Sequence, residues 1–182
     1  MGDHFVINIG RQLGSGGREI GEKLAASLEI SFYDKELINL ASEESGLCRD
    51  FFEKADEKPS QPLINGLFGM RFPFPNDSIM ACNSCLSNDA LFKVQSDVIR
   101  KLAAEKSCLF VGRCADYILR DHPRHVNVFV SASLDDRIER LCQTMHVSKA
   151  EAEELIERTD KKRSEYYNYY SYKTWGAAAT YH

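Results

Sequence analysis

Apolar residues recur along this chain in two rhythms, and the way these alternate is that of strands followed by helices. A first apolar strand is expected over about residues 4–10, carrying Val6, Ile7 and Ile9. The helix after it sets Ile20, Leu24, Ala25 and Leu28 on one expected buried face. A short strand, Ser31-Phe32-Tyr33, ends at Asp34. Asp34 can cap a helix striped with Leu37, Ile38, Leu40 and Ala41 and closed by Gly46. A charged helix is expected around 50–58. Helical spacing resumes with Leu91, Val94, Gln95, Val98, Ile99 and Leu102. The buried strand Cys108-Leu109-Phe110-Val111 then runs into Gly112-Arg113, and a helix reaches Arg120. Val126 to Val130 form a further strand, and Leu134, Ile138, Leu141 and Met145 mark the next helix. A last, highly charged helix starts near Ser148, with Glu151 three residues on completing a capping box.

Strands separated by helices imply right-handed crossovers and an α/β fold, a parallel sheet covered on both faces with strand one central. Four strands are legible, and no fifth before His182. Ligands in such folds sit at the carboxyl ends of strands. Those ends here are a glycine-rich turn, Asp34, Gly112-Arg113 and Ser131, so glycine, acid, arginine and hydroxyl are expected on one rim. Residues 59–88 break the rhythm: they hold four of the five prolines, Gly66, Gly69 and several aromatics. A connection of that length reads as a mobile insert.

Composition narrows the classes. A chain of 182 residues, 43% hydrophobic and 27% charged, suits one ordinary globular domain. A net charge of −4 argues against a nucleic-acid partner, so any basic site must be local. Neither a membrane-length apolar run nor a signal layout is present, which leads to an expected cytoplasmic location and no membrane partner. The six cysteines are scattered and read as free thiols. Only Cys82 and Cys85 stand close; a zinc site would need two more ligands, with His122 and His125 the nearest in kind, so incidental thiols are the preferred reading and no metal ligand is assigned.

The candidate chemistry centres on Gly10-Arg-Gln-Leu-Gly-Ser-Gly-Gly-Arg-Glu-Ile-Gly21, where strand one passes through a glycine-rich turn into a helix. Such a turn lets backbone N–H groups converge on an anion at a helix start. Against the P-loop pattern G-x-x-x-x-G-K-[ST], Arg11 fills the first glycine position, Gly16 the second, Gly17 the lysine position and Arg18 the hydroxyl position. The backbone half of the motif survives and the side-chain half does not. Arg11 and Arg18 flank the turn as candidate replacement cations, Arg18 preferred because it begins the helix. Arg113, just beyond a buried strand, is well placed for a ligand. The tyrosines from Tyr166 to Tyr172, with Trp175, read as packing of the last helix.

The turn, together with Phe32-Tyr-Asp-Lys-Glu-Leu-Ile38, Phe110-Val-Gly-Arg-Cys-Ala-Asp-Tyr-Ile-Leu119, Ala132-Ser-Leu-Asp-Asp-Arg137, Tyr166-Tyr167 and Trp175-Gly176, resembles the bacterial cytidylate-kinase-like proteins, P-loop nucleoside-monophosphate kinase relatives. The resemblance implies a single kinase domain with its core at about 1–48 and 89–146 plus the C-terminal helix, an NMP-binding insert at about 49–88 and a lid at about 147–165. It implies transfer of the ATP γ-phosphoryl group, with Mg²⁺, to a nucleoside monophosphate such as CMP or dCMP. Gly14, Ser15, Gly16, Gly17 and Arg18 would hold the donor phosphates, with Arg11 beside them. Asp34, Arg113 and Asp116 would meet the acceptor, and Arg18, Arg158 and Arg163 would carry catalytic charge, with Lys161 and Lys162 in the same basic stretch. Cys114 fills the slot after Arg113, and Leu40 stands where these kinases hold the acceptor phosphate with arginine. The missing lysine leaves a second reading open: a nucleotide-binding regulatory protein with little or no turnover. A homo-oligomer is possible under either reading.

Overall fold

A computed structural model describes residues 4–35 and 88–182. The expected helices around 37–46 and 50–58, the insert over 59–87, and Cys48, Cys82 and Cys85 lie outside the described residues. The elements in order are β1 (Val6–Arg11), α1 (Gly17–Ser27), β2 (Ser31–Tyr33), α2 (Asn88–Glu105), β3 (Cys108–Val111), α3 (Ala115–Ile118), β4 (His125–Val130), α4 (Leu134–Met145) and α5 (Lys149–Ser171), then a 3₁₀ turn, Ala178–Thr180. The chain divides into two compact units, Met1–Glu36 with Ile99–His182, and Leu37–Val98. The first contains the sheet and the candidate site. Of the second, the described residues form the opening turns of α2.

The sheet has strand order β2-β3-β1-β4, all pairs parallel, so β1 is interior as the alternation requires. Val6 pairs with Cys108 on one side and His125 on the other. All four residues of β3 are buried, which explains their unbroken apolar run: a strand covered on both faces has no solvent side to make polar.

Helix α1 corrects the expected face. Ile20 is 49% exposed, and Leu24 and Leu28 also face solvent, whereas Ala25 is 1% exposed and Gly17 and Gly21 are buried with it. The reason is closeness. A Cβ on Gly21 would stand 3.2 Å from Ile9 Cδ1, Leu109 Cδ2 and Val111 Cγ2 alike, so only the small-residue stripe 17-21-25 lets the helix approach the sheet this far. Helix α4 departs likewise: Leu141 is buried, but Leu134 and Met145 are exposed and Arg137 is buried instead.

At α5 the expected capping box is present: Ser148 Oγ accepts from the Glu151 N–H, and the Glu151 carboxylate accepts from the Ser148 N–H at 2.9 Å. Leu141 of α4 packs with Ala152 and Ile156 of α5, and Leu13 of the glycine turn lies against this cluster. Beyond α5 the chain returns to the free side of β4. The His182 N–H donates to the Asn127 carbonyl at 2.9 Å, and the Asn127 N–H donates to His182 Nδ1 at 3.0 Å. This tail covers part of the β4 edge where a fifth strand would pair. Among the described residues Cys108, Cys114 and Cys142 are free thiols, and no helix is long and apolar enough to cross a membrane.

Candidate functional site

Between β1 and α1 the chain makes a tight glycine-rich turn. Gly14 and Gly16 have φ of +78° and +81°, the left-handed region that costs glycine nothing. Space is equally restrictive, since a Cβ on Gly14 would stand 2.7 Å from the Arg137 carbonyl oxygen. The Ser15 hydroxyl donates to the Gln12 carbonyl at 2.8 Å and closes the turn. Among the described residues, no acceptor meets the N–H of Gly14 or of Gly16. Two open donors beside the positive end of α1 make a cradle for an anion.

Five arginines surround it, each held differently. Arg18 Nε and Nη2 both reach Oδ2 of buried Asp34, at 2.9 and 2.8 Å, with Glu22 at 3.4 Å from Nη1. The side chain expected to replace the P-loop lysine is thus bonded to the strand-end aspartate expected to meet the acceptor. Arg11 lies across to the neighbouring strand end, its Nη1 filling the space a Cβ on Gly112 would need. Arg137 donates through Nε to the Leu13 carbonyl at 2.7 Å and pairs with Asp160, whose other oxygen accepts from the Leu13 N–H at 2.8 Å. Arg163 donates to the Arg11 carbonyl at 3.2 Å; burial lowers its pKa, with Asp160 opposing. Arg140 lies over Gly16 and pairs with Glu19 at 3.1 Å. The turn is therefore braced from α4 and α5 by side chains more than a hundred residues away in sequence. Arg158, Lys161 and Lys162 of the basic stretch are exposed on α5.

The carboxyl end of β3 carries the second feature. Gly112, Arg113 and Cys114 have φ of +80°, +58° and +56°, three left-handed residues in succession. For the two that carry side chains this costs on the order of 1–2 kcal/mol each. The Arg113 guanidinium lies 5.6 Å from the Tyr166 ring centre, and its buried Nε has no partner among the described residues. Burial pushes the Tyr166 hydroxyl up to about 12, with Arg113 opposing. Asp116 is directed elsewhere, accepting from the Tyr167 hydroxyl at 2.6 Å. Arg113 and Asp116, three residues apart, are not one helical turn apart, because the left-handed turn delays α3 until Ala115. Burial raises the Asp116 carboxyl above its ordinary value, opposed by Tyr167.

Mg²⁺ finds little here. Arg18 occupies the position of the hydroxyl that would hold it, and among the described residues no three His, Cys, Asp or Glu side chains gather. Among the described residues no dedicated cage is formed, and Mg²⁺ arriving with ATP would be held chiefly by the phosphates themselves. Sequence reasoning also passed over Arg137, Arg140 and Asp160. Arg137 showed only as the last residue of the stretch Ala132–Arg137 that carries the resemblance, with no role assigned, and nothing local marked the others.

The family model described as "cytidylate kinase-like family" matches residues 6–182. Among solved structures, an uncharacterised protein from Eubacterium ventriosum is 27% identical, with a TM-score of 0.70 over 98% of this chain and 84% of its own. A shikimate kinase from Bacteroides thetaiotaomicron is 14% identical, with a TM-score of 0.47 over 90% of this chain and 82% of its own. A gluconokinase from Sinorhizobium meliloti is 14% identical, with a TM-score of 0.44 over 85% and 74%. No curated protein matches.

Proposed function

This chain belongs to the cytidylate kinase-like family, and from that premise we propose that it transfers the γ-phosphoryl group of ATP, supplied as its Mg²⁺ complex, to a nucleoside monophosphate, CMP or dCMP first among them. The observation that carries the reading is the pair of open N–H groups at Gly14 and Gly16, at the carboxyl end of an interior parallel strand. In this reading Gly14 to Arg18 hold the donor phosphates and Arg11 borders them. Arg113 meets the acceptor phosphate or base, Asp34 accepts from the acceptor's hydroxyl or amine groups, Asp116 does so only on releasing Tyr167, and Arg158 and Arg163 add charge from α5. An acceptor phosphate oxygen forms the new P–O bond, the bond from the γ-phosphorus to the bridging oxygen breaks, and ADP departs. Phosphoryl transfer asks a protein chiefly for position and positive charge, which arginines can supply.

For Arg18 to act on phosphate it must exchange Asp34 for the ligand, and Gly17 offers no charge in its stead. That favours a second reading, a nucleotide-binding regulatory protein with little turnover. A coupled ADP-release assay over all four nucleoside monophosphates and their deoxy forms decides between them. Acceptor-dependent release, greatest with CMP or dCMP, is the expected result. Nucleotide binding without release in any combination supports the second reading.

A further inference from the structure

We infer that Arg140, a residue outside the motif, is the cation of the phosphate loop: it closes over the donor phosphates and does the electrostatic work that the loop's own sequence lacks. The inference rests on the phosphate-loop reading above and goes beyond it by naming the charge.

The geometry is specific. A Cβ built on Gly16 would stand 3.3 Å from Arg140 Cζ, 3.4 Å from Nη2 and 3.5 Å from Nη1. Three nearly equal distances mean that the guanidinium lies face-on over the glycine. It therefore occupies the space beside a residue whose N–H is open, so an oxygen accepting from that N–H would come near the fork. Guanidinium matches phosphate in planarity and can donate two parallel bonds, so it is well suited to such an oxygen.

What holds each arginine now decides which one can move. Arg18 is bonded twice to a carboxylate that is itself buried, and leaving it would strand that charge. Arg137 is buried between the Leu13 carbonyl and Asp160, and Arg163, on the Arg11 carbonyl and 3.8 Å from Asp160, acts with its charge from where it already sits. Arg140, by contrast, is held by Glu19 across a half-exposed pair, and Glu19 has a second cation in Lys23 at 2.8 Å. An exposed pair of this kind is worth little, and Glu19 is not left uncompensated when Arg140 departs. Of these four, Arg140 is thus the cation that can be exchanged for phosphate at least cost. Its place on α4, packed on α5, also joins donor binding to the helical pair that bears Arg158 and Arg163.

The test is calorimetric titration of the full chain with inorganic tripolyphosphate and with ATP, in the parent and in Arg140→Ala, Arg140→Lys and Glu19→Gln. Loss of charged hydrogen bonds should weaken tripolyphosphate by about tenfold to a hundredfold in Arg140→Ala, with Arg140→Lys between. Glu19→Gln should tighten binding, because it removes the competitor for Arg140. If Arg140 merely braced the turn through Glu19, that variant would weaken binding as Arg140→Ala does. Parent-like affinity in Arg140→Ala, or weakened affinity in Glu19→Gln, overturns the inference and leaves the kinase reading standing. Absence of tripolyphosphate and ATP binding in the parent itself overturns both. Thermal unfolding of Arg140→Ala should match the parent, since the side chain is half-exposed.

Discussion

Asp160→Ala should destabilise the protein more than its place on a charged helix suggests. The Arg137 side chain is 7% exposed and that of Asp160 15%, so the pair is shielded from solvent. Removing the carboxylate leaves a buried guanidinium with the Leu13 carbonyl alone and strips the Leu13 N–H of its acceptor. Breaking a buried pair costs about 3–5 kcal/mol, and the residual exposure of Asp160 favours the lower end, about 3 kcal/mol. The orphaned Leu13 N–H adds about 1 kcal/mol. For a chain of this size each kcal/mol lowers Tm by about 2–4 °C, so a fall of about 8–16 °C is expected. Urea unfolding of Asp160→Ala, Asp160→Leu, Arg137→Met and the combination of Arg137→Met with Asp160→Leu measures it. The combined variant should recover much of the loss, because an apolar pair strands no charge. Single variants within about 1 kcal/mol of the parent, or losses that add within about 0.5 kcal/mol in the combination, would refute the account.

Asp116 gives a pH dependence whose sign follows from burial. Its carboxyl is raised in the folded protein, so between the ordinary aspartate value and the raised one the folded state holds more proton than the unfolded state. Its contribution is most favourable below that window and is lost as pH rises through the folded value. Asp116→Asn keeps an acceptor for Tyr167 and should gain stability relative to the parent as pH rises from the ordinary aspartate value through the raised one; a gap that narrows over that rise contradicts this. Gly21→Leu should cost about 1–3 kcal/mol or more by overfilling the contact of α1 with the sheet, while Ile20→Ala should lie within about 0.5 kcal/mol of the parent. Denaturation of the two side by side is sufficient, and equal losses would put the helix face wrong. Arg113→Ala should raise the acceptor KM about tenfold or more and leave ATP affinity nearly unchanged. The opposite pattern in steady-state kinetics would assign Arg113 to the donor side.

Features that depend only on neighbours along the chain are legible in the residues themselves. The unbroken apolar run of β3, the alternation that makes a parallel sheet, and the capping box at Ser148 are encoded within a few residues each. The glycine turn was legible for the same reason, because Gly14 and Gly16 mark left-handed backbone wherever the rest of the chain goes. Tertiary structure decided whatever required distant groups to meet. Apolar spacing identified a helix at α1 but not its buried face, because the sheet's closeness favours Gly17, Gly21 and Ala25 over larger residues. Arg113 and Cys114 show no sequence sign of their left-handed backbone, which is imposed at the end of β3. The pairing of Arg18 with Asp34, the brace of Arg137 and Asp160 on Leu13, and the position of Arg140 over Gly16 likewise have no local signature. A charged side chain on a helix looks the same in sequence whether it meets solvent, a carboxylate or a phosphate loop; only the packing of α4 and α5 against the turn distinguishes them.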